Sequence, residues 1–377
     1  MDETLSGTDS TVLADTPLLG NRVDRFVWDG SRLTFDRNII RLRALQQDAG
    51  QPPRGNHDGG VITFGPPDKK PKHQKLYIVV GDLGRRGWMQ NLPCGPTPNC
   101  PGPTVPDDQF GGPEPDDAHL TGVILRLNDE GSTPKDNPLV RAGRKIGGEA
   151  GENIQKVFAY GIRNSFGLAF HPKGPLWDEQ NGDDSFTELN QVKPGANLGW
   201  IQVMGPLERL DQFKAIETGQ TNPAYFGLQQ IRWPPTNIAD SPREARRRML
   251  DLPGSKYSDP EFSWKYEIAP AAVGFVDGRG LGKEYEGDMF VGAARTLLAN
   301  GHLFHFDMKK NGKDVKVEDD RLEDRVADNL DKNEATESES LLIGTNFGVG
   351  TDIETGPNGN LFVVSLSNGE IYEIYRR

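Results

Sequence analysis

The chain has little of what would make it a membrane, nucleic-acid or disulfide-scaffold protein. No apolar run reaches the roughly 18 residues that a membrane helix requires. With 43 Lys and Arg against 55 Asp and Glu, the net charge is -12. That argues against nucleic acid and anionic membrane surfaces as partners, and favours small neutral molecules or cations. There are two cysteines in 377 residues. Cys94 and Cys100 stand in LPCGPTPNCPGP, where five intervening residues allow either a small disulfide loop or two free thiols. Without a nearby histidine they make a poor zinc site. The first twenty residues, MDETLSGTDSTVLADTPLLG, are acidic and polar and lack the basic and apolar regions of a leader peptide.

Helical patterning is scarce, whereas glycine (45) and proline (28) are abundant. Short β-rich runs broken by such residues point to one large all-β domain across residues 1–377, long enough to bury a sizeable core. One unit recurs: an apolar strand, a turn of Pro, Gly, Asn or Asp, and a second apolar strand. It is found at 59–82, 166–182, 271–293 and 351–374. Further strands are expected at 21–33, 121–132 and 301–309. Repeated antiparallel units at irregular spacing read as propeller blades carrying insertions, with a β-sandwich as the alternative. Residues 1–20 read as an irregular N-terminal remnant. The Gly/Pro/Asp-rich stretch 83–118 and the charge-rich, mobile stretch 309–340 read as loop insertions. The best helix signal lies in ADSPREARRRMLDLPGSK, with Ser241 as N-cap, Pro242 first, Glu244 early and Gly254 beyond the end.

Three stretches can carry chemistry. In RGNHDGGVITFG, His57 precedes a strand whose hairpin partner ends at Val80-Gly81-Asp82. The imidazole and the carboxylate thus fall at the same end of one antiparallel pair. A histidine oriented by a carboxylate is a general base; two loop-capping side chains are the alternative. Gly59 and Gly60 would let backbone approach a ligand. In AYGIRNSFGLAFHP, Arg163 and Asn164 precede an inner strand. The arginine suits carboxylates or quinone-type oxygens, or it braces a carboxylate between blades. In LWDEQNGDDSFTELNQVKPGANLGW, Asp178, Glu179, Asp183, Asp184 and Glu188 surround Gly182. That is a calcium-like turn without EF-hand spacing, or else a solvated acidic turn. Trp200 could pack or contact a sugar.

In this order, HDGG…FGP…LYIVVGD, YGIRNSFGLAFHP and WDEQNGDDSFTELNQVKPGANLGW resemble the soluble glucose/sorbosone dehydrogenases that use pyrroloquinoline quinone (PQQ). The likeness runs from about residue 21 to the C-terminus. It implies a six-bladed β-propeller with PQQ and calcium at the central mouth, oxidation of an aldose at its anomeric carbon, an external electron acceptor, and a periplasmic or secreted location. His57 matches the base and Asp82 its orienting carboxylate. Arg163, Asn164 and Arg295 match cofactor contacts, and Asn181 and Gly182 match two backbone carbonyls on calcium. Two departures stand out. Val349 and Thr351 occupy places where the family carries arginines that grip the cofactor, and most of a first blade is not visible. These departures raise the reading of a binding propeller that has lost its cofactor; a calcium-dependent lactonase-like hydrolase on a similar propeller is a further alternative.

Overall fold

A computed structural model describes residues 20–43, 57–67, 74–83, 91, 120–219, 238–295 and 299–377. Cys94, Cys100, residues 1–19 and most of 83–118 lie outside the described residues.

The chain opens with a two-stranded antiparallel ribbon, β1 (Gly20–Trp28) and β2 (Leu33–Arg43). A meander follows: β3 (Ile62–Phe64), β4 (Lys75–Val80), β5 (Val123–Asn128) and β6 (Val157–Tyr160). Two short helices, α1 (Val140–Ile146) and α2 (Gly148–Lys156), interrupt it. They bury Leu139, Ala142 and Ile154 against its apolar face. The next meander is β7 (Gly167–Phe170), β8 (Leu176–Gln180) and β9 (Ser185–Val192). The two-residue strands β10 (Ala196–Asn197) and β11 (Lys256–Tyr257) then return to the edge of the preceding sheet in parallel. Between them lie helices α3 (Leu210–Thr218) and α4 (Pro242–Arg248). Strand β12 (Phe262–Tyr266) completes the second meander by pairing with β9.

The last two sheets repeat the plan. One begins with β13 (Pro270–Phe275), β14 (Met289–Arg295) and β15 (Ala299–Phe306). Strand β16 (Val326–Ala327) crosses to pair in parallel with β12, and β17 (Leu342–Thr345) pairs with β15. The other comprises β18 (Gly350–Thr355), β19 (Leu361–Ser365) and β20 (Glu370–Ile374).

The first strands of these four sheets, β3, β7, β13 and β18, stand side by side in that order and line one cavity of about 540 Å³. Sheets radiating from an axis with their first strands innermost have the arrangement of a β-propeller. Close packing of the inner strands requires residues without side chains. A Cβ on Gly167 would lie 2.7 Å from the Val273 nitrogen, and one on Gly274 would lie 2.2 Å from the Ile353 oxygen. Between the sheets lie aromatic cores, the largest around Trp177, Phe262, Trp264, Phe304 and Phe306. Among the described residues no helix is long and apolar enough to cross a membrane.

The repeated hairpins fall where the turn signals put them, and the outer-strand candidates become β1, β5 and β15. Ser241 caps α4 by accepting from the Glu244 N–H, as expected, but the helix stops at Arg248 rather than near Gly254. The charge-rich stretch 309–340 needs correction as a mobile segment. It contributes β16 and buries Val315, Leu322, Val326 and Ala327 in the cores between sheets. Its charged side chains alternate with apolar ones that anchor it, a pattern that average composition hides. The stretch 83–118 is likewise not wholly superficial. Asn91 is fully buried and donates to the Trp200 carbonyl at 2.8 Å.

Candidate active site

Antiparallel geometry decides what meets at the cavity mouth. Strands β3, β7 and β13 start there, and β4 and β8 end there. Residues just before the first set and just after the second therefore converge: His57, Asp82, Arg163, Asn164 and Asn181. Backbone hydrogen bonds lock the convergence. The Asp82 N–H donates to the Arg163 carbonyl at 2.8 Å, and the Asn181 N–H donates to the Asn164 carbonyl at 2.8 Å. At the centre, Gly81 leaves no room for a side chain. A Cβ there would lie 2.4 Å from the His57 oxygen and 2.7 Å from the Arg163 oxygen.

His57 has a left-handed backbone (φ 64°), a region that histidine tolerates better than most residues. Its Nδ1 lies 2.7 Å from Asp82 Oδ1. Asp82 is buried, and its other oxygen accepts from the Trp200 indole N–H at 2.9 Å. With Nδ1 as the donor in this contact, the neutral ring has its basic lone pair on Nε2. This orients an imidazole for general-base work. Trp200 is itself held by the core of Phe186, Phe213, Ala245 and Met249, which α3 and α4 build.

Arg163 is buried, and its guanidinium lies 5.6 Å from the Trp200 ring centroid. One nitrogen, Nη1, donates to the carbonyls of both Asn181 (2.8 Å) and Gly182 (2.7 Å), and Nη2 meets Asp183 Oδ1 at 3.1 Å. The residue thus braces the turn after β8 at the same mouth as His57. Asn164 Oδ1 and Arg163 Nε are buried and have no partner among the described residues. Asn181 donates its side-chain amide to the Pro270 carbonyl at 2.8 Å, tying the turn to the start of β13. Arg295 ends β14 at this mouth by the β13–β14 register. Val349 is buried beside Ala271 and Ala294, and Thr351 lines the cavity. Neither offers a cation.

Two expectations from the sequence change. Gly59 serves backbone packing rather than ligand approach: a Cβ there would lie 2.7 Å from the Val79 oxygen. The acidic residues around Gly182 do not form one chelating turn. Asp178 and Glu179 lie in β8 and Glu188 in β9, all fully buried. Asp178 accepts from Ser165 Oγ at 2.5 Å, Glu179 from the Phe166 N–H at 3.2 Å, and Glu188 from the Gly205 N–H at 2.6 Å. Burial pushes the Asp178 carboxyl up to about 7 and that of Glu188 up to about 8. Alternation in a strand sends neighbours to opposite faces, so closeness in sequence does not make a ligand set.

Residues that sequence reasoning missed include Trp200 as the second partner of Asp82, and Asp183 as the ionic partner of Arg163. The aromatic in NLGW and the tandem Asp183-Asp184 were visible, but their long-range partners were not.

The oxygens at the mouth fit a cation, because Asn181, Gly182 and Asp183 already hold a guanidinium. Below the mouth the cavity is lined by Phe166 near that end and by Phe64 and Phe275 at the far end, beside strand backbone. The unpartnered Asn164 Oδ1 and Arg163 Nε are polar atoms suited to a ligand.

Comparison with known proteins agrees with this architecture. The chain is 30% identical over 184 residues to quinoprotein glucose dehydrogenase B of Acinetobacter calcoaceticus, covering 48% of this chain and 32% of that protein. It is 24% identical over 325 residues to aldose sugar dehydrogenase YliI of Escherichia coli, covering 86% and 61% respectively. The chain thus spans 32% and 61% of the lengths of these two curated relatives. In fold it resembles a crystal structure of a glucose dehydrogenase (TM-score 0.54, 21% identity, 95% of this chain and 74% of that one). It also resembles the apo-form of the soluble aldose sugar dehydrogenase of Escherichia coli (TM-score 0.51, 20% identity, 91% and 69%). A family model described as Glucose / Sorbosone dehydrogenase matches residues 18–226, more than half of the chain, and the chain belongs to that family.

Proposed function

We propose that this chain carries the site of a PQQ- and calcium-dependent sugar dehydrogenase that oxidises an aldose at its anomeric carbon. The fold belongs, in this reading, to a six-bladed ring in which β1 and β2 form the outer part of a further blade. The observation that carries the proposal is the His57–Asp82–Trp200 chain, with contacts of 2.7 and 2.9 Å, at the same mouth as Arg163.

His57 Nε2 takes the proton of the anomeric hydroxyl as its C–O bond becomes C=O, giving a lactone. Asp82 fixes the ring's tautomer and stabilises the imidazolium that forms. PQQ, when bound, supplies the acceptor for the hydride that leaves the anomeric carbon. Arg163, Asn164 and Arg295 would hold that cofactor, and the carbonyls of Asn181 and Gly182 would hold calcium. An external acceptor then removes the electrons. Arg163 now stands on those two carbonyls, so its guanidinium would have to leave them for calcium to be held there.

A second reading, a binding propeller without the cofactor, draws support from Val349 and Thr351. A tricarboxylate facing them finds no cation, and each charged hydrogen bond forgone is worth about 1.5–3 kcal/mol.

The test is reconstitution with PQQ and calcium, followed by dye reduction with a panel of aldoses. The expected result is activity that His57→Ala removes while the circular-dichroism spectrum is kept. Absence of PQQ binding at micromolar concentration would leave the binding-propeller reading, and lactone hydrolysis without PQQ would favour the hydrolase.

A further inference from the structure

The far end of the third blade-like sheet, remote from the mouth, gathers three metal-ligating side chains. Strands β14 and β15 pair with Phe290 opposite His305 and Met289 opposite Phe306. One step further, that register sets Asp288 against Asp307. His305 and Asp307 are two apart and so share a face of the strand. Asp288, His305 and Asp307 each bring one ligand atom into a group within 4.8 Å of one another. His305 Nε2 lies 3.0 Å from Asp288 Oδ2 and 3.8 Å from Asp307 Oδ1. Donors at about 2.0–2.2 Å from a tetrahedral metal lie roughly 3.3–3.6 Å apart, between those two values.

The donors are also held in place. The Met308 N–H donates to Asp288 Oδ1 at 2.9 Å, which leaves Oδ2 aimed at the imidazole. The His305 ring is wedged between those of Tyr285 and Phe290, with centroids 5.2 and 5.0 Å away. Two carboxylates opposite each other across a strand pair repel unless a shared proton or a cation lies between them, and Asp288 and Asp307 are within hydrogen-bond reach of each other. Lys316 and His171 act on Asp307 and Asp288 respectively from neighbouring segments, but neither stands between the two carboxylates in an ion pair among the described residues. A proton on His305 would supply one charge; a divalent ion supplies two and uses all three donors.

We propose that Asp288, His305 and Asp307 form a binding site for a divalent transition cation of the zinc or manganese kind, clamping β14 to β15. One imidazole with two carboxylates selects this class over calcium or magnesium, which favour all-oxygen sets, and over copper(I), which favours sulfur. The site is separate from the mouth, because β14 begins at one end of the sheet and Arg295 ends it at the other. It is therefore independent of the sugar-oxidising reading.

The test is titration of the chain with zinc chloride at pH 7.5 by calorimetry, with thermal melting alongside. The wild type should bind zinc saturably and melt higher with it. His305→Gln should weaken binding at least ~10-fold. Asp307→Asn, at a half-exposed position that does not endanger folding, should do the same. His57→Ala should leave the zinc affinity and the zinc-induced rise in melting temperature unchanged. Saturable binding that survives both ligand substitutions, or no saturable binding by the wild type, would overturn the proposal and leave His305 as an ion-paired histidine.

Discussion

His57 and Trp200 divide the carboxylate of Asp82 between them, one oxygen each, although Trp200 lies 118 residues beyond Asp82 in the chain. The indole therefore controls the imidazole at second hand. Trp200→Phe removes one donor to a buried carboxylate and keeps the packing. A hydrogen bond to a charged group contributes about 1.5–3 kcal/mol, so kcat in the reconstituted enzyme should fall roughly 10- to 100-fold. The substituted enzyme should also show a shifted acid limb in its pH–rate profile, because Asp82 then leans more heavily on His57. Asp82→Asn should cost more than Trp200→Phe, since an amide can present an acceptor to only one of the two donors. Equal kcat for Trp200→Phe and wild type, with an unmoved pH profile, would remove Trp200 from the catalytic account.

Arg163 carries a separate prediction. Its Nη1 occupies the Asn181 and Gly182 carbonyls, and calcium on those oxygens would have to displace it. Arg163→Gln removes the competitor and its positive charge. The substituted chain, without cofactor, should bind calcium more tightly than the wild type, by about tenfold or more given the charged hydrogen bonds no longer broken. Calorimetry on both chains measures this directly. Calcium binding that is equal or weaker in Arg163→Gln would show that the ion, if bound, does not use these carbonyls.

What was legible in the sequence was local or rested on antiparallel logic. His57 and Asp82 could be brought together because a short hairpin fixes both ends of its strands. Arg163 could be assigned to the same mouth because it precedes an inner strand. The Ser241 cap was legible because its partner is three residues away. The bracing of Arg163 by Asp183 was open beforehand, as a free guanidinium and a carboxylate-paired one have the same local sequence. Trp200 is read only as packing or contacting a sugar, because Asp82 follows a strand on the other side of the same sheet, 118 residues earlier. Helices α1, α2 and α3 were missed: they are at most nine residues long and none has a side-chain cap among its hydrogen bonds. The acids around Gly182 read as a calcium-like or a solvated turn because composition cannot tell a strand facing a core from a turn facing water.

Those carboxylates give the stability of the chain an unusual pH dependence. Burial pushes Asp178 and Glu267 up to about 7 and Glu188 and Glu217 up to about 8, with Asp183 and Asp184 adding to the effect at Glu217. Glu179 is raised as well, by burial and then by Asp178. An acid whose folded pKa is raised binds its proton more tightly in the folded than in the unfolded chain. Between the unfolded value, about 4, and the folded value, the native state holds more protons, so stability falls as pH rises. Below that window surface pairs such as Asp319 with Arg321 begin to fail, since Asp319 is held well below the usual range by those hydrogen bonds. The melting temperature of the cofactor-free chain should therefore be highest near pH 5 and decline steadily to pH 8.5. Glu188→Gln should flatten part of that decline. The amide can still accept from the Gly205 N–H, and Asn190 Oδ1, unpartnered among the described residues, can accept from the new N–H₂ after a flip of its own amide. Melting curves at half-unit pH steps for both chains decide it: a wild-type melting temperature that rises from pH 5 to 8.5 would mean that these carboxyls are ionised and paired in the folded state.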